Sequence, residues 1–200
     1  MSLDRDKEST INKHETNNPI AWKVISEWLT AEIDVESIYT RKHLERVPID
    51  KLDFQPHPKS ARLGWLASFI AIMPTWGTMT LTLDSFDAAP SGENKRPDVI
   101  KTRDELLSTF DTNIARFRDA LGNATDESLL QSWTLLFSGK PVFTQPRYLV
   151  VRTYFMNHLV HHRAQLGVYL RLNDIAVPAI YQASADEQGG MFVVNAPQNA

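Results

Sequence analysis

Apolar residues recur at helical spacing along four long stretches of this chain, and polar, proline-rich segments separate them. The first runs from about Ile20 to Val47, with Val24, Ile25, Trp28, Leu29, Ile33, Val35, Ile38 and Leu44 as its apolar set. Pro48 stops it, and Pro56 and Pro58 keep the following segment non-helical. Ser60 is placed to cap a second helix over about Ala61–Asp84, which Pro74 should kink or divide. Asp87 to Val99, with Pro90, Gly92 and Pro97, reads as a linker. Thr102-Arg103-Asp104-Glu105 then has the form of a capping box and opens a third helix. Gly122-Asn123 closes that helix. Thr125-Asp126-Glu127-Ser128 begins a short helical turn. Trp133–Phe137 and Val142–Thr144 flank Ser138-Gly139-Lys140-Pro141, the pattern of a small β-hairpin. Pro146 suits a first helical turn, and the fourth helix follows from Arg147 to Leu172. Asn173-Asp174 ends it.

Four helices without a confident sheet predict an all-α domain, a four-helix bundle with one small hairpin before the last helix. The expected organisation is a flexible, polar N-terminal arm over 1–18, a bundle over 19–187 and an irregular tail over 188–200. The long linker between helices two and three leaves room for a crossover that makes those two helices parallel. The uncharged run Leu63–Leu83 is interrupted by Ser68, Pro74, two glycines and several threonines, so it reads as a buried helix rather than a membrane span. The first eighteen residues lack the apolar core of a secretory signal, and a cytoplasmic location is expected.

Charge and composition narrow the chemistry. A net charge of −3 with no basic cluster argues against a nucleic-acid partner. The absence of cysteine excludes disulfides, thiol nucleophiles and thiolate metal ligands. The five tryptophans fit core or interface anchors better than a ligand stack.

Three of the six histidines lie in Asn157-His158-Leu159-Val160-His161-His162-Arg163-Ala164-Gln165. Residues four apart share a helix face, so His158 and His162 point the same way. Two imidazoles so placed reach one divalent metal if another helix adds a third donor. The plainer alternative is a pair of half-buried histidines bonded to their neighbours. His161 falls off that face, as an outer support or a surface group. Arg163 suits an ion pair or packing, and Gln165 a hydrogen bond to a neighbouring helix. His43, near the end of helix one, is placed where a cation suits the macrodipole. His57 reads as a loop residue and His14 as part of the arm.

Three sets of residues carry a family likeness. Thr40-Arg41-Lys42-His43-Leu44-Glu45-Arg46-Val47-Pro48 with Lys51–Ser60 closes the first helix. Leu66-Ala67-Ser68-Phe69-Ile70-Ala71-Ile72-Met73-Pro74-Thr75-Trp76 lies in the second. Asn157–Leu166, then Tyr169–Asn173 and Pro178-Ala179-Ile180-Tyr181, make up the last. In this order they resemble the DinB/YfiT-like metalloenzymes over roughly residues 30–187. The resemblance implies an up-down-down-up bundle, a homodimer, and a nickel or zinc ion on three histidines. Two of these match His158 and His162. The third belongs where this chain has Phe69, and an acidic residue that often follows falls on Ile72. Phenylalanine has no lone pair, so metal binding should be weak or lost unless a carboxylate such as Asp84 or Asp53 substitutes. Phe69, Ile72 and His161 are expected to line the pocket. The implied activity is that of a metal-dependent hydrolase or thiol transferase. The alternative is a non-catalytic member that binds a small apolar molecule or a protein.

Overall fold

The computed structural model describes residues 23–90, 92 and 98–188. The proposed arm over 1–18 and nearly all of the proposed tail lie outside these residues.

Helix α1 spans Val24–Leu44 and carries Arg41 and Lys42 in its last turn, where cations complement the carbonyl end. Its buried face mixes Leu29, Ile33 and Leu44 with polar Glu36, Thr40 and His43. Trp28 and Ile38 are 72% and 57% exposed, so the sequence pattern located the helix but misassigned part of its face. Helix α2, Leu63–Ile72, and helix α3, Pro74–Thr82, are the divided second helix. Pro74 stands at the start of α3, the one helical turn that tolerates a missing N–H. Ser60 is not the cap expected of it: Arg62 precedes α2, without a side-chain cap. Helix α4, Arg103–Asn123, begins as predicted, with Thr102 Oγ1 accepting from the Glu105 amide at 3.2 Å. Helix α5, Asp126–Leu130, is one short turn closed by a Thr125–Ser128 capping box.

The predicted hairpin is present as β2, Ser132–Phe137, and β3, Lys140–Pro146. Its turn is tighter than expected. Ser138 and Gly139 make it alone, with φ of 51° and 74°, the left-handed pair that matches strand twist. A third strand, β1 at Ser85–Asp87, lies parallel to β2 on its other side. The Asp87 carboxylate holds the turn, accepting from the amides of Ser138 at 3.0 Å and Gly139 at 2.7 Å. The fold is therefore mostly helical with a small three-stranded mixed sheet, and the all-α expectation was too narrow. Three residues with a partner far along the chain leave no periodic signal.

The last helix is continuous from Arg147 to Leu172 but not uniform. It comprises α6, Arg147–Val150, a π-helical turn over Val151–Met156, and α7, Asn157–Leu172. A π turn inserts extra backbone and resets the phase of all that follows. Arg147, itself buried, donates to the Thr80 carbonyl at 2.6 Å, to the Leu83 carbonyl and to Asp84, closing the end of α3.

Helix α1 packs on α4 and α7, and α2 packs on the same two helices from its own side. Leu66, Ile70, Phe110, Phe117 and Phe155 fill the space between them. At Gly77 a Cβ would come within 2.6 Å of the Phe117 ring and 2.7 Å of Phe155, so α3 reaches α4 and the π turn only without a side chain there. Among the described residues no helix is long and apolar enough to cross a membrane.

One charged group lies at the centre of this packing. Arg163 of α7 is 1% exposed and pairs with Glu36 of α1 at 2.5 Å. It also donates to the Glu36 carbonyl at 3.1 Å and to the Tyr181 hydroxyl at 2.8 Å, and that hydroxyl donates to Glu36 Oε1 at 2.8 Å. The expectation of an ion pair for Arg163 holds. Removing one member of such a pair strands a buried charge, which costs about 3–5 kcal/mol, whereas replacing both by apolar side chains of similar volume is close to neutral. Arg163→Ala should therefore lower stability by about 3–5 kcal/mol in urea unfolding, and Arg163→Met with Glu36→Met should recover most of the loss. Equal losses in the two proteins would show that the pair is not the source.

Candidate functional site

His158 and His162 share one face of α7, as their spacing required. Their Nε2 atoms are 2.9 Å apart and their rings 4.6 Å centre to centre. Each ring is held from behind: His162 Nδ1 lies 2.7 Å from Gln165 Oε1, and His158 bonds the backbone of Tyr154. Acceptors behind the rings favour the proton on that side, which turns both Nε2 lone pairs toward one point. Such a pair holds one cation between its nitrogens, or else one ring keeps an Nε2 proton and donates it to the other. Gln165 thus serves its own helix, not a neighbouring one as expected.

Phe69 of α2 stands against both imidazoles. Its ring meets His162 edge-on at 5.1 Å and His158 at 6.0 Å. Behind it, Trp65 stacks at 4.7 Å and Trp76 meets it edge-on at 5.3 Å. Trp76 also stacks on Tyr154 at 5.2 Å. Two half-buried imidazoles are therefore walled by four aromatic rings. His161 is exposed, with its ring 4.9 Å from His162. Ile72 is half-buried against the main core, one turn along α2 from Phe69. Trp65, Trp76 and Tyr154 were not assigned to the site by the sequence. The available signal was spacing: Trp65 precedes Phe69 by one helical turn, and Tyr154 precedes His158 by one.

Among the described residues, no group of three histidine, aspartate or glutamate side chains is arranged to hold a metal. Asp53 pairs with Arg62 and Asp84 with Arg147. The residues present thus offer two good nitrogen donors with outer support, and a hydrocarbon ring beside them. They do not fit a three-histidine site.

A family model for the DinB family matches residues 29–190. The chain belongs to the DinB family. A crystal structure of a DinB-like protein from Bacillus cereus is similar to it at 25% identity and a TM-score of 0.61, covering 78% of this chain and 97% of that one. A second, of a DinB-like protein from Bacillus subtilis, matches in fold at 16% identity and a TM-score of 0.59, over 78% of this chain and 99% of that one. No curated protein matches the chain.

Burial governs the charge of His43, His158 and His162 in this DinB protein. It is the largest cause lowering the pKa of both His158 and His162, and the neighbouring His161 lowers them further. His43 is lowered to about 4, again chiefly by burial, with Arg163 and Arg46 adding to the effect. His43 is therefore neutral, not the helix-end cation its position suggested. Unfolded histidine titrates near about 6.5, so below that pH the unfolded chain takes up protons that the folded chain refuses. Stability is full above about pH 6.5 and falls as pH drops through the folded values. Between pH 7.5 and pH 5, His43 alone should cost on the order of 2 kcal/mol, read as a lower urea midpoint. A midpoint that is unchanged or higher at pH 5 would contradict this assignment.

Proposed function

We propose that this protein is an up-down-down-up four-helix bundle in which the metal-dependent hydrolase or thiol-transferase chemistry suggested by resemblance is weak or lost. In its place, the half-buried imidazole pair and its aromatic wall form a recognition site for a small apolar molecule. The observation that carries this reading is the Phe69 ring, 5.1 and 6.0 Å from the two imidazoles at the position where a third donor is expected. A divalent metal, nickel or zinc, supplies Lewis-acid activation of water or thiol when three donors hold it with a position open. Here two donors and a hydrocarbon edge are present. The same edge favours an apolar ligand, because pockets bind mainly through apolar walls with a few placed polar groups.

The test is calorimetric titration of nickel and zinc into chelator-stripped parent protein and into Phe69→His. The variant should bind about a hundredfold more tightly than the parent, since losing even an outer support of a metal site costs roughly ten- to a hundredfold. A parent that binds as tightly as the variant would overturn the proposal.

A second copy of the chain is the proposed protein partner. Val24, Trp28 and Ile38 of α1 are 37%, 72% and 57% exposed, and exposed apolar side chains grouped on one helix favour association. Sedimentation at tens of micromolar should give a dimer, and Trp28→Glu should give a monomer. A monomeric parent would remove the partner from the proposal.

A further inference from the structure

A second recess lies between α7 and the segment that follows it, and none of its lining residues belongs to the imidazole and aromatic cluster. It has a volume of about 390 Å³, and His43, Gly167, Val177, Pro178 and Ile180 are among its walls. We propose that this recess binds a small, neutral, largely apolar molecule carrying one O–H donor, of the phenol class, with its hydroxyl on His43 Nε2.

The acceptor is set by the other ring nitrogen. His43 Nδ1 lies 2.8 Å from the Tyr39 carbonyl, which can only accept. The proton therefore resides on Nδ1, and Nε2 presents a lone pair. His43 is 3% exposed, and among the described residues Nε2 has no hydrogen-bond partner. Nε2 opens into the recess as an acceptor that no donor among the described residues occupies, and a ligand hydroxyl can donate to it there. Gly167 leaves the approach open: a Cβ there would stand 3.4 Å from Nε2 and 3.7 Å from Val177 Cγ1.

The far wall is fixed in place. Arg46 donates to the Ala176 carbonyl at 2.9 Å and pairs with Glu187, whose carboxylate accepts from the Ala179 amide at 2.9 Å. Arg171 pairs with Asp186, which accepts from the Val177 amide at 2.8 Å. Ser184 Oγ donates to the Val177 carbonyl at 2.7 Å. Arg171 and Ser184 of the rim are thus engaged with the segment itself, and the wall presents Val177, Pro178 and Ile180. The ligand's charge follows from the surroundings. Arg163 and Arg46 act on His43 electrostatically and disfavour a cation, each outweighing the opposite effect of Glu187, which is paired with Arg46. A carboxylate would bring no donor to Nε2. A neutral hydroxyl on an apolar body satisfies both conditions, and the volume lies within the usual range for small-molecule sites.

The experiment is an NMR titration of the full chain with phenol and, separately, with anisole, which has the same ring but no O–H. Phenol should shift the amides of Gly167, Val177 and Ile180, with a Kd on the order of 1 mM. Anisole should bind about five- to tenfold more weakly, the loss of one neutral hydrogen bond. His43→Leu should abolish the preference, and Gly167→Ala should weaken phenol. The comparison on the parent stands even if His43→Leu fails to fold. The proposal is overturned if phenol causes no shift at about 20 mM, if the shifts lie elsewhere, or if anisole binds the parent as tightly as phenol.

Discussion

The Arg163–Glu36 pair fixes the rotation of α7 against α1, and the rest of the structure follows from that rotation. A guanidinium that is 1% exposed has few orientations that satisfy it. It takes the Glu36 carboxylate, the Glu36 carbonyl and the Tyr181 hydroxyl together, while Tyr39 and Tyr181 lie with ring centres 5.8 and 5.7 Å from its central carbon. A buried ion pair adds little net stability over an apolar pair, because desolvation offsets attraction. What it does is penalise every other phase of the helix, since a slip of one residue would leave both charges unpaired in the core. With Arg163 turned to α1, Leu159, Leu166 and Leu170 enter the core, and His158 and His162 come round to Phe69 on α2. Gly167 arrives against His43. Tyr181 draws the segment after α7 back over the bundle, so the same network that orients the imidazoles also builds the wall of the second recess.

The π turn acts on the same variable from the other end. It lies directly before α7, and its extra backbone changes the angle between residues on either side. Tyr154, inside the turn, both stacks on Trp76 and supplies the backbone bond behind His158. Phe143 of β3 meets Tyr154 at 5.6 Å and Trp133 of β2 at 6.2 Å. An unbroken series of aromatic contacts thus runs from Trp65 through the imidazoles to the small sheet. The sheet is positioned by Arg147 at its base and by Asp87 at its turn, so its rigidity bears on the site.

What the sequence revealed of this follows a physical boundary. Local patterns were legible because their causes are local: the Thr102 cap, the division at Pro74, the existence of the hairpin though not its tight turn, and the shared face of His158 and His162. Phe69, singled out by the family likeness, stands with its ring 5.1 Å from His162 and 6.0 Å from His158. Long-range satisfaction was not legible. Arg163 and Glu36 are 127 residues apart, and Tyr181 and Glu36 are 145 apart. Nothing near Glu36 distinguishes it from a solvated helix residue until α7 is placed against it. His43 failed for the same reason: a helix-end position argues for charge, and burial of the ring outweighs it. Trp28 failed in the opposite sense, an aromatic assigned to the helix pattern that the core does not use. Strand β1 is too short to show periodicity, and the π turn has no sequence signature of its own.

Phe69 shows how one substitution exchanges one kind of order for another. A histidine there would be held to its partners through a shared ion and would need outer support for its own ring. Phenylalanine instead joins four aromatic neighbours by stacked and edge contacts, each worth about 0.5–1.5 kcal/mol beyond burial. Those contacts themselves hold Phe69 against His158 and His162. With both rings neutral, one carries its proton on Nε2 and donates it to the other Nε2 at 2.9 Å, a hydrogen bond that an apolar wall strengthens by excluding water. The geometry of a metal ligand pair and that of a preorganised hydrogen-bonding pair are thus nearly the same, and it is the chemistry of the third wall that separates them.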